Sequence, residues 1–209
     1  MLGHAPLQLL RGLGRGRDRA LSPKDLYPEL AFAWANYLYA CGPCNGPKSN
    51  KFAVLVAGEV VPVVRAHGAP PTPPPGGRAA LIDPRAEDPL ALLFLDLKGE
   101  LCFVPNPALP RASPDRARAR YTIETLHLND RVDLVSARST TLRMLKLALI
   151  AAAASTSIVA AGVDVLADAR VAVGSTPHRF VWDEMRRHAS LGITPYRELF
   201  AAVADAADW

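Results

Sequence analysis

The sequence predicts an α+β chain, on three observations. Short β-branched runs alternate with proline-rich connections before residue 110, helical text fills the second half, and the nineteen prolines are concentrated where helix is excluded. At 209 residues and 50% hydrophobic content the chain is long enough for one folding unit with its own core. With 21% charged residues it is neither a mostly disordered nor a collagen-like chain.

Taken in order, residues 1–21 mix Leu, Gly and Arg without a sustained period, and this head is expected to be disordered. Its arginines follow its leucines, the reverse of a secretory signal, and it lacks the serines of a transit peptide. Four arginines (Arg11, Arg15, Arg17, Arg19) against Asp18 give it +3 of the chain's +4. The remainder is nearly neutral, so basicity alone is no argument for nucleic-acid binding, which has to rest on a local site.

DLYPELAFAWAN, from Asp25 to Asn36, reads as a short helix or turn docked on a core, with Trp34 an anchor beside Trp182 and Trp209. Residues 51–64, KFAVLVAGEVVPVV, read as a strand or hairpin edge. Residues 67–78 are a Pro/Gly-rich connection. ALLFLDLKGELCFVPN, residues 91–106, reads as a hairpin turning at Lys98 and Gly99, with Cys102 in its second strand. Residues 111–120 read as a polar connection, and helices dominate from Tyr121 onward, making 79–209 one hairpin-and-helix body.

The uncharged stretch Leu147–Val163 is too short and too rich in Ala, Ser and Thr to cross a membrane, and a buried helix is expected there. Trp182, Met185 and His188 share one helical face, and Tyr196, Leu199, Phe200 and Val203 form the next apolar stripe. Three cysteines are too few for a secreted disulfide framework and point to a reducing, cytoplasmic setting.

Chemistry-bearing residues concentrate between Asn36 and Phe52, NYLYACGPCNGPKSNKF. Cys41 and Cys44 have the spacing with which two thiolates grip one tetrahedral zinc from a turn, which is half a site. A pair of free thiols in a turn is the bland alternative, and a redox pair lacks its usual strand-to-helix context. Elsewhere, Asp83, Arg85, Glu87 and Asp88 read as a turn with a local Arg–carboxylate pair rather than an acidic metal cluster. Asp130 and Asp133 read as helix-start charges. His127 reads as a packing or surface histidine, His178 as a capping or surface group, and His188 as a solvated or phosphate-facing one.

The string YPELAFAWANYLYACGPCNGPKSNKF resembles the second half of an HNH endonuclease motif, an asparagine followed by Cys-x-x-Cys-Asn/His-x-x-Lys. The blocks LIDPRAEDPLALLFLDLKGELCFVPN, YTIETLHLNDRVDLVSAR and HRFVWDEMRRHASLGITPYRELFAAVADAADW are similar, in the same order, to the HNH subfamily found beside retrons and in ATPase-paired anti-phage systems. The likeness covers roughly residues 22–209. It implies a ββα-metal finger within residues 22–66 and nucleic-acid phosphodiester hydrolysis, on DNA more than RNA, assisted by Mg or Mn. It also implies an ATPase or retron partner, Asn36 pinning the finger loop, Asn45 as a metal ligand with Cys41 and Cys44 on structural zinc, and Lys48 and Lys51 facing phosphate.

The chain departs from that pattern in two places. Matching Pro23 and Lys24 to the family's Pro-Lys puts Ala20 where the general-base histidine stands and Arg19 where the acidic ligand stands, and the only upstream histidine, His4, is out of reach. The first Cys-x-x-Cys is also missing, so the zinc lacks its second ligand pair and the finger is truncated. A frameshift or misplaced start, a degenerate member, and a site completed by a partner each account for this, and the change of composition at residue 21 favours the first. A non-catalytic module that docks an ATPase is the alternative function.

Overall fold

The computed structural model describes residues 16–66, 68–70, 77–155, 164–203 and 205–209; the side chains of residues 16–19, 39 and 41–44 lie outside that description. The chain divides into two compact units, where the sequence predicts one. The first comprises residues up to Asp96 together with Cys102–Arg131, and the second comprises Leu97–Leu101 and Val132–Trp209. The α+β expectation holds at the level of class: small antiparallel sheets in the first unit, helices throughout the second.

In the first unit, β1 (Gly16–Ala20) pairs antiparallel with β2 (Tyr37–Cys41), from Gly16 opposite Cys41 to Ala20 opposite Tyr37, and α1 (Gly42–Lys48) follows directly. Strand structure therefore reaches into the head that the sequence predicts to be disordered; residues 1–15 lie outside the described residues. The β-branched run at 51–64 forms the expected hairpin of β3 (Ala53–Val56) and β4 (Glu59–Pro62). Ala57 and Gly58 both take positive φ, 50° and 90°, at its two-residue turn, the twist that joins adjacent antiparallel strands without splaying them.

The two-residue β5 (Arg78–Ala79) adds to the other edge, giving the order β4-β3-β5. Gly77 leads into it because a Cβ there would meet the Leu55 carbonyl oxygen at 2.7 Å. Leu26, Tyr27, Phe52 and Val54 make the core behind this sheet, with the Tyr27 and Phe52 rings edge to face at 5.2 Å.

Asp88 caps α2 (Pro89–Leu92) by accepting from the Leu90 amide, and β6 (Leu93–Leu95) pairs with β7 (Phe103–Pro105) as the second expected hairpin. Cys102 sits one residue before β7 and its carbonyl accepts from the Asp96 amide. The polar connection expected at 111–120 is instead the body of α3 (Pro114–Leu126). Ser113 accepts from the Arg116 amide, Pro114 opens the first turn and Asp115 lies at its positive end, a complete set of start signals.

The second unit consists of α4 (Val132–Ser155), α5 (Val165–Ser175), α6 (Arg179–Ser190) and α7 (Tyr196–Ala201), closed by a 3-10 turn at Ala206–Asp208. Within it α4 packs against α5, α6 and α7. Trp182, Met185 and His188 are all buried on the one face of α6 that the periodicity predicts. The ring of Trp182 stacks on Trp209 at 6.0 Å and tilts against Phe200 at 5.0 Å.

His178 and His188 are buried, not surface groups. His188 keeps its Nδ1 within 2.8 Å of the Glu184 carbonyl oxygen. His178 precedes α6 without making a side-chain cap, and burial, reinforced by the Arg138 guanidinium, holds its imidazole below the usual value. Among the described residues no helix is long and apolar enough to cross a membrane.

Candidate functional site

The residues singled out between Ala20 and Lys51 converge on β1, β2, the intervening residues 21–36 and α1. Asn36 is the centre of that loop. It is 7% exposed; its Oδ1 accepts from the Ser22 amide at 2.8 Å, and its Nδ2 donates to the Ser22 carbonyl at 2.9 Å and to the Leu30 carbonyl at 3.3 Å. A buried amide with acceptor and donors both occupied ties the start of the loop to its middle and end.

A second clamp comes from outside. Arg85 donates to the carbonyls of Ala35 and Tyr37, and its Nε and other guanidinium nitrogen are held by the two Asp83 oxygens at 2.9 and 2.7 Å. The Arg–carboxylate pair read from IDPRAEDP is therefore real, but its reach to the loop backbone was not legible: nothing local marks residue 85 as a neighbour of residue 35. Burial opposes ionisation of Asp83, yet the hydrogen bonds and charge of Arg85 win and hold its carboxyl below the usual range. The Tyr37 hydroxyl adds a donor to the Ala31 carbonyl.

We expect Asn36→Ala to cost about 2–3 kcal/mol, since it removes three hydrogen bonds and strands the Ser22 and Leu30 groups. A lower urea midpoint at unchanged slope is the expected readout, with Asn36→Asp, which keeps only the acceptor, falling in between. A midpoint equal to wild type would contradict the pinning role.

The other predicted positions fare differently. Ala20 closes β1, half-buried opposite Tyr37, and Arg19 precedes it opposite Leu38. The Pro23 carbonyl accepts from the Leu26 and Tyr27 amides, and Lys24 is exposed. Cys41 ends β2 and Cys44 lies in α1, with their side chains outside the described residues. Asn45 is half-buried in α1, its carbonyl accepting from the Ser49 amide at 3.0 Å. Lys48 is only 6% exposed, because α1 packs on both strands and on α3; that is not the open position a phosphate contact requires. Lys51 is exposed.

Lys51 lines an open groove of about 930 Å³ together with Asp25, Leu26, Asn50, Arg65 and Tyr121. The Arg65 guanidinium is committed there to the Asp25 and Ala69 carbonyls, both at 2.9 Å, which leaves Lys51 as the cation open to a ligand. Trp34, expected in the core, is 80% exposed, and Phe32 is 99% exposed. Leu26 and Tyr27 supply the core contact instead, and the short helix or turn expected over Asp25–Asn36 takes the form of two 3-10 turns, Pro28–Leu30 and Trp34–Asn36.

A catalytic cation does not fit these residues. Among the described residues no group of three His, Cys, Asp or Glu side chains is arranged to hold a metal ion. Asn45 is the one described side-chain donor of the expected set, and position 20 offers a methyl group. A structural zinc would need a second ligand pair beside Cys41 and Cys44, and Cys102 belongs to the β6–β7 hairpin. His127 ends α3 with its Nδ1 2.8 Å from Asp130, and His4 and His67 lie outside the described residues. No family model, curated protein or solved structure matches the chain.

Proposed function

We propose that this is a nucleic-acid-binding protein built on the HNH endonuclease plan, a hydrolase by resemblance, in which phosphodiester cleavage is disabled at position 20. The observation that supports the reading is the order β1, long loop, β2, α1 with Asn36 bonded across the loop at the position where the resemblance expects a pinning asparagine. A loop held this way presents its backbone and side chains to a ligand without an ordering cost at binding. The exposed Lys24, within the loop, and Lys51, after α1, supply positive charge for a phosphate backbone.

Hydrolysis needs a group that accepts a proton from the attacking water, and a methyl side chain at residue 20 cannot do so. The chain therefore binds without cutting. The test is a binding and cleavage assay on a labelled DNA fragment, with Mg or Mn added, for wild type and for the Arg19→Asp/Ala20→His variant. Salt-sensitive binding by both proteins, with cleavage gained only by the variant, is the expected result. Absence of binding by wild type would remove the reading.

The second reading is a docking module for an ATPase, and one observation favours it. On α4, Met144, Leu147 and Ile150 recur every three residues at 43%, 60% and 52% exposure, while Leu142, Leu145 and Leu149 are buried. An apolar stripe left in water on a long helix is the kind of surface a partner helix covers.

A further inference from the structure

The apolar stripe on α4 has an internal order. Met144, Leu147, Ala151 and Ala154 are all exposed, at steps of three, four and three residues, the spacing that keeps one seam of a helix turned toward a partner helix. Leu142, Leu145, Leu149 and Ala152 are buried on the inward side, so the stripe is surplus to the core of the helical unit. The seam residues are large in its first half and small in its second. None of them is charged: Arg143 precedes the first, and the Lys146 ammonium lies over the Tyr196 ring, 5.0 Å from its centroid.

A second copy of the same helix, running antiparallel, matches this pattern. About the midpoint of the seam Met144 falls opposite Ala154 and Leu147 opposite Ala151, so each large side chain meets a small one and the backbones can approach closely. Ile150, 52% exposed at the flank of the seam, comes to the two-fold axis and meets its own counterpart. A parallel pairing would set Met144 against Met144 and leave a gap between alanines.

Charge favours the same direction. Arg143 stands at one end of the seam and, among the described residues, makes no ion pair. Helix α5 follows α4 and packs on it, and consecutive packed helices joined by a short connection run antiparallel, so Asp164 and Asp168 at the start of α5 stand toward the opposite end. Asp168 is likewise outside any ion pair. Antiparallel pairing brings each Arg143 toward the acidic end of the other copy, twice per dimer; parallel pairing would oppose the two arginines.

We infer that this face of α4 is a self-association surface, through which two copies of the chain form a two-fold dimer of antiparallel α4 helices. The inference is independent of the nucleic-acid reading, and it assigns to a second copy the surface that the docking reading leaves to an ATPase. A seam of about three helical turns lies at the lower limit of specific interfaces, about 1,000 Å² in total, so a dissociation constant in the micromolar range is expected.

The experiment is sedimentation velocity of the full chain across the micromolar range, for wild type and variants whose far-UV circular dichroism matches it. Wild type is expected to move from monomer to dimer as concentration rises. Leu147→Glu should raise the dissociation constant roughly 10-fold or more, since it buries unpaired carboxylates in the seam. Arg143→Glu and Asp168→Arg should each weaken the dimer about 3- to 10-fold, and together regain most of the wild-type affinity, a reversal that a purely structural role of either residue would not give. Ile150→Cys should form a disulfide-linked dimer on oxidation and Met144→Cys should not, with wild type as the control for Cys41, Cys44 and Cys102. A wild type that stays monomeric throughout would overturn the inference and leave the stripe to a different protein. A dimer indifferent to Leu147→Glu would place the interface elsewhere, and cross-linking of Met144→Cys as readily as Ile150→Cys would overturn the antiparallel arrangement.

Discussion

Arg118→Ala is expected to destabilise the strand-bearing unit by about 2–3 kcal/mol, because it removes the buried guanidinium's charge-assisted hydrogen bonds to Glu87 and leaves that half-buried carboxylate to Arg78 alone. Arg118 is 1% exposed as a side chain and grips both oxygens of Glu87, one nitrogen lying 2.7 Å from Oε2, while its Nε donates to the Ala79 carbonyl at 3.1 Å. The pair thus ties α3 to β5 and to the turn before α2. Burial opposes ionisation of Glu87, but the hydrogen bonds and charge of Arg118, the Asp83 amide and Arg78 outweigh it and hold the carboxyl below its usual range.

A carboxyl depressed on folding contributes stability that is present above its unfolded pKa and lost as pH falls through the folded value. The variant should therefore unfold at a lower urea midpoint at neutral pH and show a flatter loss of stability in acid. Replacing both residues by apolar ones of similar size, Arg118→Met with Glu87→Leu, should recover much of the loss. A single variant as stable as wild type would show that the pair is not the tie described.

The second large effect lies in the helical unit. Trp182→Ala is expected to cost about 3–5 kcal/mol, since the ring is 0% exposed and is enclosed by Phe200 and Trp209. Its indole Nε1 has no hydrogen-bond partner among the described residues, so the contribution is one of shape and area. Trp182→Phe, which loses size but no hydrogen bond, should cost only about 1 kcal/mol. Near-UV circular dichroism and urea midpoints of the two variants separate these outcomes; equal losses would mean that the indole nitrogen matters after all. Release of the stack on Trp209 should also loosen the 3-10 turn at Ala206–Asp208.

Elements whose evidence is periodic were legible in the sequence. The β3–β4 hairpin follows from a β-branched run with Ala57–Gly58 at its middle, and the buried face of α6 from the spacing of Trp182, Met185 and His188. The α3 helix was misread because four arginines among residues 111–120 suggest solvent, although Ser113, Pro114 and Asp115 carry the start signal. An arginine can be buried when a carboxylate distant in sequence meets it, and Glu87 does so across the fold. The division into two units has no composition shift at Val132 to announce it.

At the candidate site the same distinction holds. Asn36 was legible because its role is local, reaching Ser22 and Leu30 within one loop. The burial of Lys48 and the exposure of Trp34 were not, since both depend on which residues the tertiary structure brings over α1 and leaves away from the loop. The resemblance names positions; it does not say which of them face water.

The hold of Arg85 on residues 35 and 37 sets an order of assembly. About fifty residues must be synthesised after the loop before its second clamp exists, and the three-stranded sheet is completed only when β5 arrives at Arg78. During synthesis the loop, Asn36 bonded or not, waits for its later half, a contact closed late and at long range. A fragment ending at residue 66 would emerge from the ribosome with its aromatic rings unsupported, so the segment that looks like a self-contained motif in the sequence is finished by the chain that follows it.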